Sequence, residues 1–145
     1  NTRSRGLGDV YKRQSNNSMA GFGTQTAGVG VGGNSPASAA TYEYDGSSWT
    51  AGNNVPSTRR SMGAFGILTA GAICGGYSPS AGTLSETLTY DGTNWASSAD
   101  LATGRNGLGG SGTQSAGIAA GGHPQLQTTE EFTGAVSSTK SIDVS

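Results

Sequence analysis

EYDGSSW fills residues 43–49 and TYDGTNW residues 89–95, so an aromatic, an Asp-Gly and a Trp recur at one spacing in a chain dominated by Gly, Ala, Ser and Thr. Asp-Gly between aromatic residues is a strong hairpin signal, because both residues tolerate the positive φ that primed turns require. Each stretch reads as two strands joined by a tight turn, the Tyr closing one strand and the Trp lying in the next.

Fixed intervals extend outward from this pair. Tyr44 to Trp49 and Tyr90 to Trp95 are both five residues, Trp49 to Arg59 and Trp95 to Arg105 both ten, and Arg59 to Gly75 and Arg105 to Gly121 both sixteen. GTQTAG (23–28), ILTAG (67–71) and GTQSAG (112–117) mark the same point in three units, and Phe132-Thr133-Gly134 stands where a third Tyr-Asp-Gly belongs. Tyr44 to Tyr90 is 46 residues and Tyr90 to Phe132 is 42. That period lies within the range of four-stranded propeller blades. No segment sustains a 3.6-residue apolar period. In the middle unit the predicted strands lie near Ser61–Leu68, Ala70–Gly75, Glu86–Tyr90 and Asn94–Ser97, one four-stranded meander. The Gly pairs would sit where backbones crowd together, and the outer-strand Trp would cover a neighbour's apolar face.

Composition limits how such units can pack. Leu, Ile, Val and Phe supply only 20 of 145 residues, against 26 Gly. A formal charge of −1 argues against the self-repulsion of a disordered chain, leaving a Gly/Ala-rich fold with closely approaching backbones. No apolar run reaches 18 residues, so no membrane-inserted helix is expected. The lone Cys74 excludes an intramolecular disulfide.

The first fourteen residues stand apart. NTRSRGLGDVYKRQ holds Arg3, Arg5, Lys12 and Arg13, four of the eight basic residues, and lacks the apolar stretch of a signal peptide. Four cations without interleaved aromatics make a poor nucleic-acid footprint, so no nucleic-acid partner is expected. GLGDVYKRQ resembles translated adapter sequence found at the ends of reading frames in environmental assemblies. Residues 1–14 are therefore expected to be a non-native or disordered segment.

A Gly-Gly pair ending one strand, then Tyr-Asp, a short turn, Trp, and an Arg ten residues later resembles the kelch motif, over about Ser15 to Gly134. The match carries over Gly75, Gly76, Tyr90, Trp95 and Arg105, with Gly32, Gly33, Tyr44, Trp49 and Arg59 as counterparts one unit earlier; Gly121 and Gly122 form the third pair. The third unit lacks the Trp, which leaves its outer strand open, although SSTKSIDVS alternates Ile142 and Val144 with polar residues and suits that place. More narrowly, the TQTAG and TEEFTG phrases resemble Gly/Ser/Thr-rich kelch-like repeat proteins of marine phages and bacteria, some of them tail-associated. The resemblance implies an all-β, kelch-like β-propeller fragment of about three four-stranded blades, at approximately 15–58, 59–104 and 105–145. Kelch propellers usually have six or seven blades, so this one is incomplete, and further blades or self-association would close the ring.

One interval varies. From the second Gly of each pair to the next aromatic the distances are 11 (Gly33 to Tyr44), 14 (Gly76 to Tyr90) and 10 (Gly122 to Phe132). On a propeller these connections emerge on one face, where repeat proteins commonly carry recognition loops. Asn34, Tyr77, Ser78, His123 and Gln125 are the candidate binding residues, with a protein or glycan as partner.

Chemistry is sparse. A copper-oxidase site of the kind some kelch-type propellers hold needs several His and Tyr ligands, and this chain has a single His and a single Cys. Adjacent strand residues point to opposite faces, so Glu130 and Glu131 cannot both act on one bond. TYDGTNW resembles the Asp-box of sialidases with one residue missing. The expectation is a non-enzymatic binding or structural module without cofactor or metal, in a virion or extracellular protein such as a phage tail component. The alternative is the propeller portion of a larger sialidase-like or oxidase-like enzyme whose active site lies in absent blades.

Overall fold

The computed structural model describes residues 17–34, 36–134 and 137–141. These form strands and no helix, in four antiparallel sheets. Sheet I joins β1 (Ala20–Thr24), β2 (Ala27–Val31), β3 (Thr41–Tyr44) and β4 (Trp49–Ala51) in chain order. Sheet II joins β5 (Gly63–Ile67), β6 (Ala70–Cys74), β9 (Thr87–Tyr90) and β10 (Trp95–Ser97); β7 (Tyr77–Ser78) and β8 (Gly82–Thr83) form a small separate hairpin inside the β6–β9 connection. Sheet III joins β11 (Gly109–Thr113), β12 (Ala116–Ala120), β13 (Thr128–Phe132) and β14 (Ser137–Ser141). The four strands predicted for the middle unit are all present, shortened by a residue or more at most ends. The β7–β8 hairpin has no counterpart in the repeat and was not legible. The third unit has an outer strand without a Trp, supplied by Ser137–Ser141. Ile142 and Val144, and residues 1–14, lie outside the described residues.

The Asp-Gly turns differ from the primed type expected. Tyr44 pairs with Trp49 across a four-residue loop, and of Asp45-Gly46 only Gly46 has positive φ. The Asp acts through its side chain instead. Asp45 Oδ1 accepts from the Ser47 and Ser48 N–H groups, each at 2.8 Å, and Asp91 Oδ1 accepts from Thr93 N–H at 2.8 Å and Asn94 N–H at 2.7 Å. These bonds hold both carboxyls below their ordinary range, Asp45 at about 2. An Asp side chain that mimics a backbone turn removes the need for positive φ at its own position.

Side-chain alternation gives each sheet two faces, and two cores follow. Ala20, Val29 and Val31 of sheet I cluster with Ile73, Leu88 and Tyr90 of sheet II, with Phe22, Ala64 and Trp95 packed against them. From its other face sheet II contributes Phe65, Ala72 and Cys74 to a cluster with Leu108, Ala119 and Phe132 of the third unit. So few large residues suffice because glycine lets neighbouring sheets close up. A Cβ on Gly110 would stand 2.6 Å from Ala64 N, closer than any side chain tolerates. Gly71 and Gly117 lie directly beneath the rings of Phe22 and Phe65 from the preceding sheet.

The Gly pairs stitch successive units. Gly33 N–H donates to Arg59 O at 2.9 Å and Gly76 N–H to Arg105 O at 2.8 Å. Gly32 and Gly75, at φ 68° and 64°, press so close to those carbonyls that a Cβ would overlap them. Both the left-handed φ and the contact require glycine here. The arginine side chains brace their own sheets. Fully buried Arg59 pairs through Nη2 with Glu86 and reaches Ser57 Oγ at 2.9 Å. Arg105, equally buried, bonds Glu130 Oε1 at 2.9 Å, Thr128 O at 2.9 Å, Thr128 Oγ1 at 3.0 Å and Gly121 O at 3.1 Å.

Candidate binding face

The residue after each Gly pair is held by the same device in all three units. Asn34 bridges to Asn17, Tyr77 to Arg60 and His123 to Asn106. The Arg60–Tyr77 and Asn106–His123 pairs exchange both backbone hydrogen bonds, at 2.8 and 3.0 Å and at 2.7 and 3.1 Å. The partner residue in the second and third units follows the buried arginine and precedes the first strand of its sheet. A second row joins the strand entries: Ser61 N–H donates to Ser18 O at 2.9 Å and Gly107 N–H to Ser61 O at 2.8 Å. Ser18, Ser61 and Gly107 all take positive φ, at 59°, 56° and 66°. A left-handed serine is strained, and it recurs where the three strand entries meet at this end of the molecule.

On this frame the side chains converge around Arg60. Its Nη1 donates to Asn34 Oδ1 at 2.7 Å, and its Cζ lies 4.7 Å from the centroid of the Tyr77 ring. Two of the predicted binding residues, in different units, are thus brought together by a third that sequence reasoning passed over. Among the described residues no carboxylate is paired with Arg60. Guanidinium on an aromatic face is favourable and leaves donor N–H groups for an acceptor-bearing ligand. The signal for Arg60 was available: in an extended segment it must point away from buried Arg59, just as Asn106 points away from Arg105. Asn106 Nδ2 donates to Thr83 Oγ1 at 3.0 Å, tying the β7–β8 hairpin to the third unit.

The remaining candidates divide. His123, which precedes Pro124 through a cis peptide bond, and Gln125 are both exposed. Ser78 is not available to a partner. It is fully buried, and its Oγ shares a hydrogen bond with Ser80 Oγ at 3.0 Å, because the hairpin turns it inward. Of the twelve motif positions named from the sequence, Gly33, Gly76 and Gly122 directly precede Asn34, Tyr77 and His123, and Arg59 directly precedes Arg60, while Tyr44, Trp49, Tyr90 and Trp95 lie in the sheets away from this cluster of loop side chains. Cys74 is buried in the second core, which pushes its thiol up to about 12; nearby Arg105 opposes and Glu130 reinforces the shift. Such a thiol is packing material rather than a nucleophile. Glu130 is buried against Arg105 and also accepts from Ala102 N–H at 2.7 Å. Among the described residues no group of three His, Cys, Asp or Glu is placed to hold a metal ion.

No protein-family model matches this chain, and no curated protein matches it.

Proposed function

We propose that this chain is part of a kelch-like β-propeller, each four-stranded sheet a blade, and that it serves as a non-enzymatic recognition or structural module. Its ligand is a protein or a glycan, read at the loop end by Arg60, Tyr77, Asn34, His123 and Gln125. The reading fits a virion or extracellular protein, such as a phage tail component. The observation that supports it is the repeated bridge holding Asn34, Tyr77 and His123 at equivalent positions, so that loops of unequal length start from one rigid frame. A frame that fixes the base of each loop while its length varies separates recognition from folding. Arg60, carrying its charge unpaired among the described carboxylates, favours ligands with carboxylate, sulfate or clustered hydroxyl acceptors.

The test is an array of neutral, sialylated and sulfated glycans together with extracted cell-surface proteins, probed with the full chain. The double variant Arg60→Ala, Tyr77→Ala should weaken the strongest hit at least tenfold, about 1.4 kcal/mol, with the unfolding midpoint nearly unchanged. Undiminished binding by that variant would remove the loop end as the site.

A further inference from the structure

The contact between successive sheets is built twice on one plan. The third residue of a sheet's first strand, Phe22 in β1 and Phe65 in β5, lays its ring over a glycine in the second strand of the next sheet, Gly71 in β6 and Gly117 in β12. That glycine pairs across the ladder with the third-strand aromatic, Gly71 with Tyr90 and Gly117 with Phe132. Between sheets I and II the socket has a wall and a polar seal. Trp95 meets Phe22 edge to face with centroids 6.2 Å apart. Its Nε1 donates to Thr41 Oγ1 and Asn53 O, both at 3.0 Å, and the Tyr90 hydroxyl donates to Glu43.

Sheet I carries the same socket on the face turned away from sheet II. Gly28 in β2 pairs with Tyr44, Tyr44 pairs with Trp49, and the two rings lie 5.1 Å apart. Among the described residues no ring fills it: a Cβ on Gly28 would meet only Thr24 O at 3.5 Å, Tyr44 Cβ at 3.8 Å and Phe22 O at 4.0 Å. At the opposite end of the stack, the position of Phe22 and Phe65 is taken by Ser111 on β11, all of whose residues are exposed. A second copy placed on sheet I by the same plan would bring a hydroxymethyl group where a ring belongs.

We propose that the outward face of sheet I, formed by Gly28, Tyr44 and Trp49, is a docking surface for another four-stranded sheet of this repeat. The occupant carries Phe-Gly at the third and fourth positions of its first strand, and in its third strand a carboxylate that accepts from the Tyr44 hydroxyl. The ring fills the socket over Gly28 and meets Trp49 edge to face, as Phe22 meets Trp95. Specificity lies in the knob: Phe-Gly docks and Ser-Gly does not.

The full chain itself tests this, because Ser111→Phe installs the missing knob on the exposed face of sheet III. A knob at one end and a socket at the other make a head-to-tail contact, which propagates into rings or open chains. By sedimentation velocity, Ser111→Phe should self-associate at least tenfold more tightly than the parent. Adding Gly28→Val, which fills the socket in a conformation any residue adopts, should return it to the parent's behaviour. Thermal unfolding of each variant establishes that the fold is retained. The proposal is overturned if Ser111→Phe sediments like the parent. It is equally overturned if Gly28→Val leaves the new association intact, since the added ring would then be merely adhesive. A parent chain that already assembles, and loses assembly on Gly28→Val, would put a Ser-bearing copy in the socket and overturn the requirement for a ring.

Discussion

Sheets I and II meet through aromatic rings with polar tips, whereas sheets II and III meet through a ring without one, beside an ion pair buried within the third unit. In the first contact Tyr90 donates to Glu43, and Trp95 donates to Thr41 and Asn53. In the second, Phe132 replaces the tyrosine, its ring 5.7 Å from Phe65, and Thr89 stands where sheet I has Glu43. Donor and acceptor have disappeared together, so neither a buried hydroxyl nor a buried carboxylate is left without its partner. The arginines differ in the same way. Arg59 finds its carboxylate in Glu86, which is 36% exposed, while Arg105 finds its own in Glu130, at 1%, two positions further along the third strand. Thr128, in Glu86's place, still accepts from Arg105. The repeat therefore tolerates changes of letter at its sheet contacts when they come in complementary sets.

The largest expected difference is between the two acids. Glu130→Ala leaves the Arg105 charge buried without a counter-ion and should cost about 3–5 kcal/mol. Glu86→Ala, whose site is open to water, should cost about 1 kcal/mol. Urea unfolding of both variants decides it, and equal losses would mean that burial of the acid does not set the strength of the pair.

A smaller difference separates the two tryptophans. Trp95→Ala removes ring contacts with both Phe22 and Tyr90, two hydrogen bonds and part of the first core, for about 3 kcal/mol. Trp49→Ala removes only packing on its own sheet, for about 1 kcal/mol. Thermal midpoints that fall equally would show that the Trp49 face is covered as fully as the Trp95 face.

The last difference is alkaline and divides by contact. Burial raises the Tyr90 phenol above its ordinary value of 10.0, with the hydrogen bond to Glu43 adding to it, and burial raises the Cys74 thiol from 9.0 to about 12. In each case the folded state prefers the neutral form. Its stabilisation is complete below the ordinary pKa and is lost as pH climbs toward the raised one. Loss should begin near pH 9 from Cys74, between sheets II and III, and near pH 10 from Tyr90, between sheets I and II. Cys74→Ala should remove the first phase and Tyr90→Phe the second, read from denaturation midpoints across that range. An unchanged profile in both variants would place the alkaline sensitivity elsewhere.

Local chemistry made the sheets legible in the sequence. Hairpin signals at EYDGSSW and TYDGTNW, the TAG phrases and the constant intervals depend on hydrogen bonds and φ angles within a few residues, and each repeat unit restates them. The same intervals isolated the variable connections and so pointed to Asn34, Tyr77 and His123. What the letters could not show was which copy of a motif is covered. Trp49 and Trp95 read alike, as do Gly28 and Gly71, yet one of each pair lies under a neighbouring sheet and the other touches only its own sheet among the described residues. Ser78 reads as a loop hydroxyl and is buried because a hairpin outside the repeat turns it inward. Arg60 gains its role only when Asn34, 26 residues away, is brought to its guanidinium. Burial, charge pairing and the filling of a socket are properties of two surfaces in contact; a local motif describes one surface, and the packing of sheet on sheet supplies the other.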